Sequence, residues 1–338
     1  MRVLELGEFG LIKKLADLVD KKSTKKTPAW ADLIIGIGDD AAAWKSKSGV
    51  ELITTDILVE GTHFRLSYTG WYDLGWKSIA INISDIYAMG GKPQYALVSL
   101  AMPGLREVGN VLEMYEGMID IANAYGVAIA GGNISASENV VINITLTGVA
   151  ENALITRSSA RQGDLIAVFG YPGLSAAGLK TLKDLRIFDS ESMKLFKNAH
   201  LHPEPRLDAG SKLAACGVKT AIDISDGVLS DLAHICEASG VSAVIRTKDL
   251  PVHPQLKQHF EQDYIDMVLT GGEDYELLFT APRQVMDTVS DVMKPAPTVI
   301  GEITAGKPGE ITILDAAGKP ITVDNRGWDH YKRALSNG

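Results

Sequence analysis

The chain has 338 residues, of which 46% are hydrophobic and 22% charged, and its formal net charge is −9. This length and composition predict a globular protein with a large core in two domains. Nucleic-acid binding is disfavoured because the charge is negative and no basic run offers a track for phosphates. Cys216 and Cys236 form neither a disulfide framework nor a zinc motif. With no signal peptide and no membrane-spanning apolar stretch, we expect a cytoplasmic protein without a membrane partner.

Periodicity in the first half predicts alternating helices and strands. The predicted helices cover residues 9–20, 72–89 and 107–125, and the predicted strands cover 51–56, 95–102, 127–130 and 140–147. The order from 51 to 102 is typical of a crossover unit. In the last strand, apolar and polar side chains alternate, which predicts that one sheet face meets water or a partner.

The pattern breaks into polar residues after 150 and then restarts, which predicts a domain boundary there. The second half predicts strands over 165–169, 220–224, 243–246, 276–280 and 311–314, with helices over 175–185, 205–216, 228–239 and 283–293. The chain is therefore expected to form two α/β domains, residues 1–150 and 151–338.

Acidic and hydroxyl side chains recur where predicted strands end and helices begin. The motifs are Asp39-Asp40, Thr54-Thr55-Asp56, Ser84-Asp85, Asp223 and Ser225-Asp226. Each one alone is explained by a turn or a helix cap. If the strands are adjacent and parallel, however, the motifs share the sheet edge at which open α/β folds bind ligands. Carboxylates gathered there need cations to neutralise their repulsion.

The ligand types favour magnesium over zinc, because all are hard oxygen donors. Mg²⁺ takes its remaining ligands from substrate phosphates, so the set predicts a nucleotide or polyphosphate partner. Thr54 and Asp56 point to one face of their strand and Thr55 to the other, so the tripeptide would serve two ions.

Two features are candidates for phosphate contact. Gly131-Gly132-Asn133 follows an apolar strand and would let backbone amides approach a phosphate closely, although a plain tight turn explains it equally well. Arg157 is a candidate clamp whose alternative is a solvated surface arginine. Neither a Walker motif nor a dinucleotide-binding glycine motif is present.

Three further residues are candidates for substrate contact. His63 follows the acidic strand as a possible ligand contact or base, Glu273 lies in an acidic segment after Gly271-Gly272, and Trp328 lies in the polar tail. The alternatives are a packed histidine, an ordinary loop entry and a packed aromatic side chain.

In this order the motifs resemble the thiamine-monophosphate kinase family, within the superfamily that includes aminoimidazole ribonucleotide synthetase. The resembling strings are Gly7–Phe9, Gly38–Asp40, Thr54–Asp56, Leu58–Phe64, Asn82–Asp85, Ala88–Gly90, Asp223–Gly227, Gly272–Leu277 and Gly327–His330. The aspartate motifs are shared by the superfamily, whereas Val59–Phe64 and Gly271–Leu277 are particular to the kinase.

The resemblance implies two α/β domains with mixed sheets, of the aminoimidazole ribonucleotide synthetase-like type. The first would bind ATP and several Mg²⁺ ions, and the second would complete the substrate site. The implied reaction is transfer of the γ-phosphoryl group of ATP to thiamine monophosphate, giving thiamine diphosphate and ADP. Homodimers with the nucleotide near the subunit interface are implied as well.

The resemblance also implies residue roles. The implied Mg²⁺ ligands are Asp40, Thr54, Thr55, Asp56, Asp85, Asp223 and Asp226. The implied nucleotide contacts are Tyr115, Gly132, Asn133, Arg157 and Ser225, and the implied thiamine phosphate contacts are His63, Glu273 and Trp328. No covalent nucleophile is expected, because the acceptor phosphate is already ionised near neutral pH.

One residue departs from the family pattern. The usual Gly-Gly-Asp-Thr reads Gly131-Gly132-Asn133-Ile134, so an amide replaces a carboxylate that would bind metal. Three hypotheses follow: an active thiamine-monophosphate kinase, another ATP-dependent enzyme of the superfamily, or a catalytically silent protein that binds nucleotide or thiamine.

Overall fold

A computed structural model describes residues 1–37, 42–46, 49–151 and 153–323. Over these residues the chain forms two compact units. Unit 1 comprises Met1–Tyr87 and Gly91–Glu151, and unit 2 comprises Ala88–Gly90 and Asn152–Gly338. Among the described helices, none combines the length and the apolar character needed to cross a membrane.

Unit 1 is built on a four-stranded sheet covered by helices on one face. Its helices are α1 (Val3–Leu6), α2 (Glu8–Lys22), α3 (Pro28–Asp32), α4 (Trp71–Ala88) and α5 (Val108–Tyr125). Its strands are β1 (Leu33–Ile35), β2 (Ala43–Trp44), β3 (Val50–Val59), β4 (Lys92–Met102), β5 (Ala128–Ala136) and β6 (Val141–Ala150). The sheet order is β3-β6-β4-β5, in which only β4 and β5 are parallel neighbours, and β1 and β2 form a separate antiparallel pair.

Helices α4 and α5 approach each other at glycines. A Cβ atom at Gly117 would lie 2.0 Å from the carbonyl oxygen of Tyr72, and one at Gly75 would lie 1.8 Å from that of Met114. Only a residue without a side chain allows two backbones to come so close. This crossing fixes α4, which carries Asp85.

Unit 2 is built on a seven-stranded mixed sheet. Its helices are α6 (Leu174–Lys183), α7 (Ser190–Leu201), α8 (Ala209–Ala215), α9 (Val228–Ser239), α10 (Pro254–His259), α11 (Tyr264–Thr270) and α12 (Arg283–Val292). Its strands are β7 (Leu165–Val168), β8 (Thr220–Asp223), β9 (Ser242–Arg246), β10 (Leu277–Ala281), β11 (Thr298–Thr304), β12 (Ile311–Leu314) and β13 (Pro320–Ile321). The order is β13-β12-β9-β11-β7-β10-β8, with β9 and β12 parallel and the other neighbours antiparallel.

The predicted fold class is confirmed, since both sheets are mixed and both are packed with helices. The half-buried strand predicted over 140–147 is β6, whose side chains alternate between buried and partly exposed from Val141 to Gly148. Two predictions were wrong. Strand β3 continues to Val59 instead of ending at Asp56, and the strand predicted over 127–130 continues through Gly131–Asn133 to Ala136.

Candidate functional site

The clearest acidic cluster in unit 1 joins strand β3 to helix α4. The Thr54 hydroxyl donates to Asp85 Oδ2 at 2.5 Å, and the carboxyl groups of Asp56 and Asp85 share a hydrogen bond. Burial, together with the charge of Asp85, raises the pKa of Asp56 to about 7. The cluster is therefore a close pair of carboxyl groups that a proton or a cation stabilises.

This cluster does not lie at the carboxyl ends of the strands, where the sequence predicts it. Thr54 and Asp56 lie in the middle of β3, on the face that contacts the helices, beside the buried Leu52 and Leu58. Asp85 lies in the last turn of α4, so it does not begin a helix. The helix dipole disfavours a carboxylate at that end, which adds to the need for positive charge.

Thr55 lies on the opposite face of the sheet. Its hydroxyl accepts a hydrogen bond from Asn143 Nδ2 at 3.1 Å and is 3.3 Å from the Thr145 hydroxyl. The two faces predicted for the Thr54–Asp56 tripeptide are therefore confirmed. This helix-free surface, which we call the open face, also carries the exposed Ile53 and Ile57 at 73% and 49% exposure.

Asn133 belongs to the open face, on strand β5. It is exposed and pairs with Ser99 of β4, which pairs in turn with Asn143 of β6. Strand β5 is three strand spacings, about 14 Å, from β3. Within one chain, Asn133 and Thr55 are therefore too far apart to bind the same ion.

Gly132 lies inside the β4–β5 pair. A Cβ atom there would lie 2.0 Å from the carbonyl oxygen of Val98, and the strand register shifts just before it, between the partners of Ala96 and Leu97. Such close strand contact explains the glycine without any phosphate.

A tight turn after β3 fixes His63. The backbone N–H of Val59 donates to His63 Nδ1 at 3.0 Å, so the neutral ring carries its proton on Nε2. Glu60 anchors the same turn, because it accepts two hydrogen bonds from Arg106 Nη2 at 3.0 and 3.1 Å and one from the backbone N–H of Val140 at 3.0 Å. This anchoring role of Glu60 was not predicted from the sequence.

In unit 2, the segment Asp223–Gly227, which we call the aspartate loop, connects β8 to α9. Asp223 ends β8 and is buried at 3% exposure, and Ser225 and Asp226 precede α9, as predicted. The loop is organised by Asp231, whose Oδ2 accepts the backbone N–H groups of Ser225, Asp226 and Gly227, each at 3.1 Å.

Asp231 also contributes negative charge at this helix start. Burial and the charge of Asp226 raise the pKa of Asp231 to about 7, against the opposing effect of its three backbone hydrogen bonds. Ligand atoms of Asp226, Asp231 and His234 lie within 4.8 Å of one another, an arrangement that could hold a cation. Asp231 was not among the predicted residues, although an acidic residue in the first turn of a helix that follows a glycine is a recognisable signal.

The segment Gly272–Glu276, which we call the glutamate segment, runs beside the aspartate loop. The backbone N–H groups of Glu273 and Tyr275 donate to Ser225 O at 2.8 Å and Ile224 O at 2.9 Å. The structure therefore brings Glu273 next to Ser225, two residues that the sequence placed in different motifs. Glu273 Oε2 also lies 3.5 Å from Nδ1 of the buried His200.

Of the four remaining predicted site residues, two have surroundings that the structure describes and two lie outside the described residues. Tyr115 is buried in α5 at 4% exposure, and burial raises its pKa above the usual range. Arg157 is exposed, and its carbonyl accepts a hydrogen bond from Ser239, the last residue of α9, about 17 Å along that helix from the aspartate loop. Asp40 and Trp328 lie outside the described residues.

Two family models match the chain. The model for AIR synthase related protein, N-terminal domain, matches residues 38–150, and the model for its C-terminal domain matches residues 161–313. The thiamine-monophosphate kinase of Aquifex aeolicus (strain VF5) is 37% identical over 98% of this chain and 100% of its own length.

Solved structures are similar over nearly the whole chain. The crystal structure of thiamine-monophosphate kinase from Stenotrophomonas maltophilia K279a superposes with a TM-score of 0.79 at 29% identity, covering 91% of this chain and 96% of that one. A structure described as AaThiL complexed with AMPPCP and TMP gives a TM-score of 0.75 at 35% identity, covering 98% and 99%.

Proposed function

The chain belongs to the thiamine-monophosphate kinase family, and from this premise we propose how its residues share the work of the reaction. The protein is an ATP-dependent phosphotransferase that passes the γ-phosphoryl group of ATP to thiamine monophosphate, giving thiamine diphosphate and ADP. The observation that carries this function is similarity over the full length to kinases of that name. The other two hypotheses are not favoured, because relatives that are 34–37% identical over nearly the whole chain carry the name thiamine-monophosphate kinase.

The donor set in unit 1 suits Mg²⁺. Thr54, Asp56 and Asp85 offer only oxygen atoms, and the crowding of the two carboxyl groups is relieved by a divalent cation. We assign several Mg²⁺ ions to these residues and to the further predicted ligands Asp40, Thr55, Asp223 and Asp226. When bound, Mg²⁺ supplies neutralisation of the phosphate charges during in-line transfer.

The protein's own residues bind and orient the two substrates. The acceptor phosphate is already ionised near neutral pH, so no strong general base is needed. We assign His63 to an oxygen of that phosphate, because the hydrogen bond from the Val59 N–H holds its ring in a fixed orientation after β3. Glu273 would face the positively charged thiazolium ring, and Trp328 would stack on a flat ring of the acceptor.

The nucleotide contacts are proposed on the same basis. The backbone N–H of Ser225 donates a hydrogen bond to Asp231, so the Ser225 hydroxyl is the group that we assign to ATP. Gly132, Asn133, Arg157 and Tyr115 remain predicted contacts. The carbonyl oxygen of Asn133 can bind Mg²⁺, but without a carboxylate charge it should bind more weakly.

We also propose a homodimer that buries the open face of unit 1. Ile53 and Ile57 are strongly exposed there, beside a polar row formed by Thr55, Asn143 and Thr145. A two-fold pairing of the open faces of two subunits would cover the apolar residues. It would also place Asn133 of each subunit against the partner. A cytoplasmic location belongs to the same proposal, because ATP and the free Cys216 and Cys236 suit a reducing compartment.

The test is an assay of the purified protein with Mg·ATP, with and without thiamine monophosphate. ADP release is measured by a coupled assay and thiamine diphosphate by chromatography. Equimolar ADP and thiamine diphosphate support the kinase. ADP release that ignores thiamine monophosphate would indicate another ATP-dependent enzyme, and tight ligand binding without turnover would indicate a silent binder.

A further inference from the structure

Helix α6 receives its N-terminal cap from a distant residue. Its N-cap position is Gly173, which has no side chain to offer. Instead, Asp274 accepts the backbone N–H of Gly173 at 2.7 Å and that of Ser175 at 3.0 Å. A carboxyl group at this position satisfies amides that the helix leaves unpaired and interacts favourably with its dipole. Asp274 therefore ties the glutamate segment to α6.

The residues on either side of Asp274 have an unfavourable backbone conformation. Glu273 has a φ of 64° and Tyr275 a φ of 51°, in the left-handed region that side chains disfavour. Such a conformation persists only where surrounding contacts impose it. Backbone hydrogen bonds to the aspartate loop hold one side of the segment, and the Asp274 side chain holds the other.

Buried polar contacts lead from Asp274 back to Glu273. Ser175 donates its backbone N–H to Asp274, and its hydroxyl lies 3.1 Å from His200 Nδ1. The same nitrogen lies 3.5 Å from Glu273 Oε2. Ser175 is fully buried and His200 is 3% exposed, so both side chains have little freedom to move. The position of the Glu273 carboxylate therefore depends on where α6 begins.

We propose that Asp274 is a positioning residue for acceptor recognition: through α6, Ser175 and His200 it fixes the carboxylate of Glu273. The inference rests on the proposed function, in which Glu273 receives the cationic ring of thiamine monophosphate. Asp274 itself bonds to backbone amides and acts on the substrate only through Glu273.

The test compares Asp274→Ala with the loss of another carboxylate that accepts two backbone N–H groups in the same unit. Asp274→Ala should raise the KM for thiamine monophosphate about tenfold, while kcat and the KM for ATP change less than about twofold. The control is Asp315→Ala. Asp315 lies in the turn between β12 and β13 of the same unit, where its Oδ1 accepts the backbone N–H groups of Ala317 and Lys319, each at 2.8 Å. This variant should lower the melting temperature and leave the KM for thiamine monophosphate unchanged.

A double variant separates positioning from general destabilisation. In a Glu273→Gln background, Asp274→Ala should add no further rise in this KM, because the residue through which it acts is already altered. If Asp274→Ala does not fold, Ser175→Ala serves instead. It keeps the backbone N–H that Asp274 accepts, loses the contact with His200, and should raise the KM about threefold.

The outcomes that overturn the inference are distinct from those that overturn the proposed function. An additive rise in the double variant, or equal KM changes in Asp274→Ala and Asp315→Ala, would overturn the positioning role alone. An unchanged KM in Glu273→Gln would remove the proposed contact between Glu273 and the acceptor, and the positioning role with it.

Discussion

Replacing Asp85 by Asn removes one of the two carboxyl groups crowded between β3 and α4. The pKa of Asp56 rises from 3.8 to about 7, first through burial and second through Asp85. At about 1.4 kcal/mol per pKa unit, the whole shift corresponds to about 4 kcal/mol. Since burial is the larger cause, we attribute about 1–2 kcal/mol to Asp85. An Asn carbonyl can still accept the hydrogen bond from Thr54.

The sign of the effect depends on pH. The folded protein holds a proton on Asp56 that the unfolded chain releases near pH 4, so stability falls as pH rises from about 4 to about 7. Without metal at pH 8, Asp85→Asn should therefore be more stable than the wild type by about 1–2 kcal/mol, or about 2–8 °C in melting temperature. At pH 5 the gain should be much smaller, because Asp56 is protonated.

The assay is thermal unfolding in EDTA at pH 5 and pH 8, repeated with Mg²⁺, alongside kinase turnover. Mg²⁺ at 100 times its Kd should stabilise the wild type by about 2.7 kcal/mol and the variant by much less. Turnover should fall at least about 100-fold. A variant that is less stable than the wild type at pH 8 in EDTA, or that keeps full activity, would refute the reasoning.

Three further predictions concern other parts of unit 1. Asn133→Asp should lower the Mg²⁺ concentration for half-maximal activity several-fold, because it adds a charge to a weak ligand; an unchanged midpoint in a Mg²⁺ titration would count against Asn133 as a ligand. Gly117→Ala should lower the free energy of unfolding in urea by about 3 kcal/mol, because its Cβ would lie 2.0 Å from the carbonyl oxygen of Tyr72. Gly109→Ala on the same helix, with open space around its Cβ, should change it by less than about 1 kcal/mol, and equal effects would contradict the close crossing. Glu60→Gln should raise the KM for thiamine monophosphate and leave that for ATP unchanged, because Glu60 holds the turn that carries His63; equal changes in both constants would contradict this.

The long helices were predictable because their periodic patterns are uninterrupted. The predicted ranges 107–125 and 228–239 correspond to α5 (Val108–Tyr125) and α9 (Val228–Ser239). In both, a glycine follows the last helical residue in the left-handed conformation, the signal that ends a helix. Local sequence alone fixes such elements.

Glycines within strands misled the sequence analysis. The predicted strand over 127–130 ended before Gly131 and Gly132, and strand β11 with Gly301 was missed. In both strands the register shifts just before the glycine, and a Cβ atom would lie 2.0 Å from Val98 O or 2.1 Å from Val244 O. Glycine is typical both of turns and of strand bulges at which a neighbouring strand comes close, so the local sequence does not distinguish the two.

The acidic side chains of the site were predictable as a set, but their partners were not. Asp85 was recognised as an acidic candidate, yet its closeness to Asp56 depends on the crossing of α4 over β3. Asp274 bonds to an amide 101 residues away, which no local motif could reveal. Two-residue periodicity, in contrast, correctly placed Thr55 on the face opposite Thr54 and Asp56.

The measurement that tests the kinase assignment most directly is transfer of label from γ-³²P-ATP in the presence of Mg²⁺ and thiamine monophosphate. We expect the label to appear in thiamine diphosphate, EDTA to prevent the transfer, and Asp85→Asn to reduce it at least about 100-fold. Label found only in inorganic phosphate, or remaining in ATP, would contradict the account.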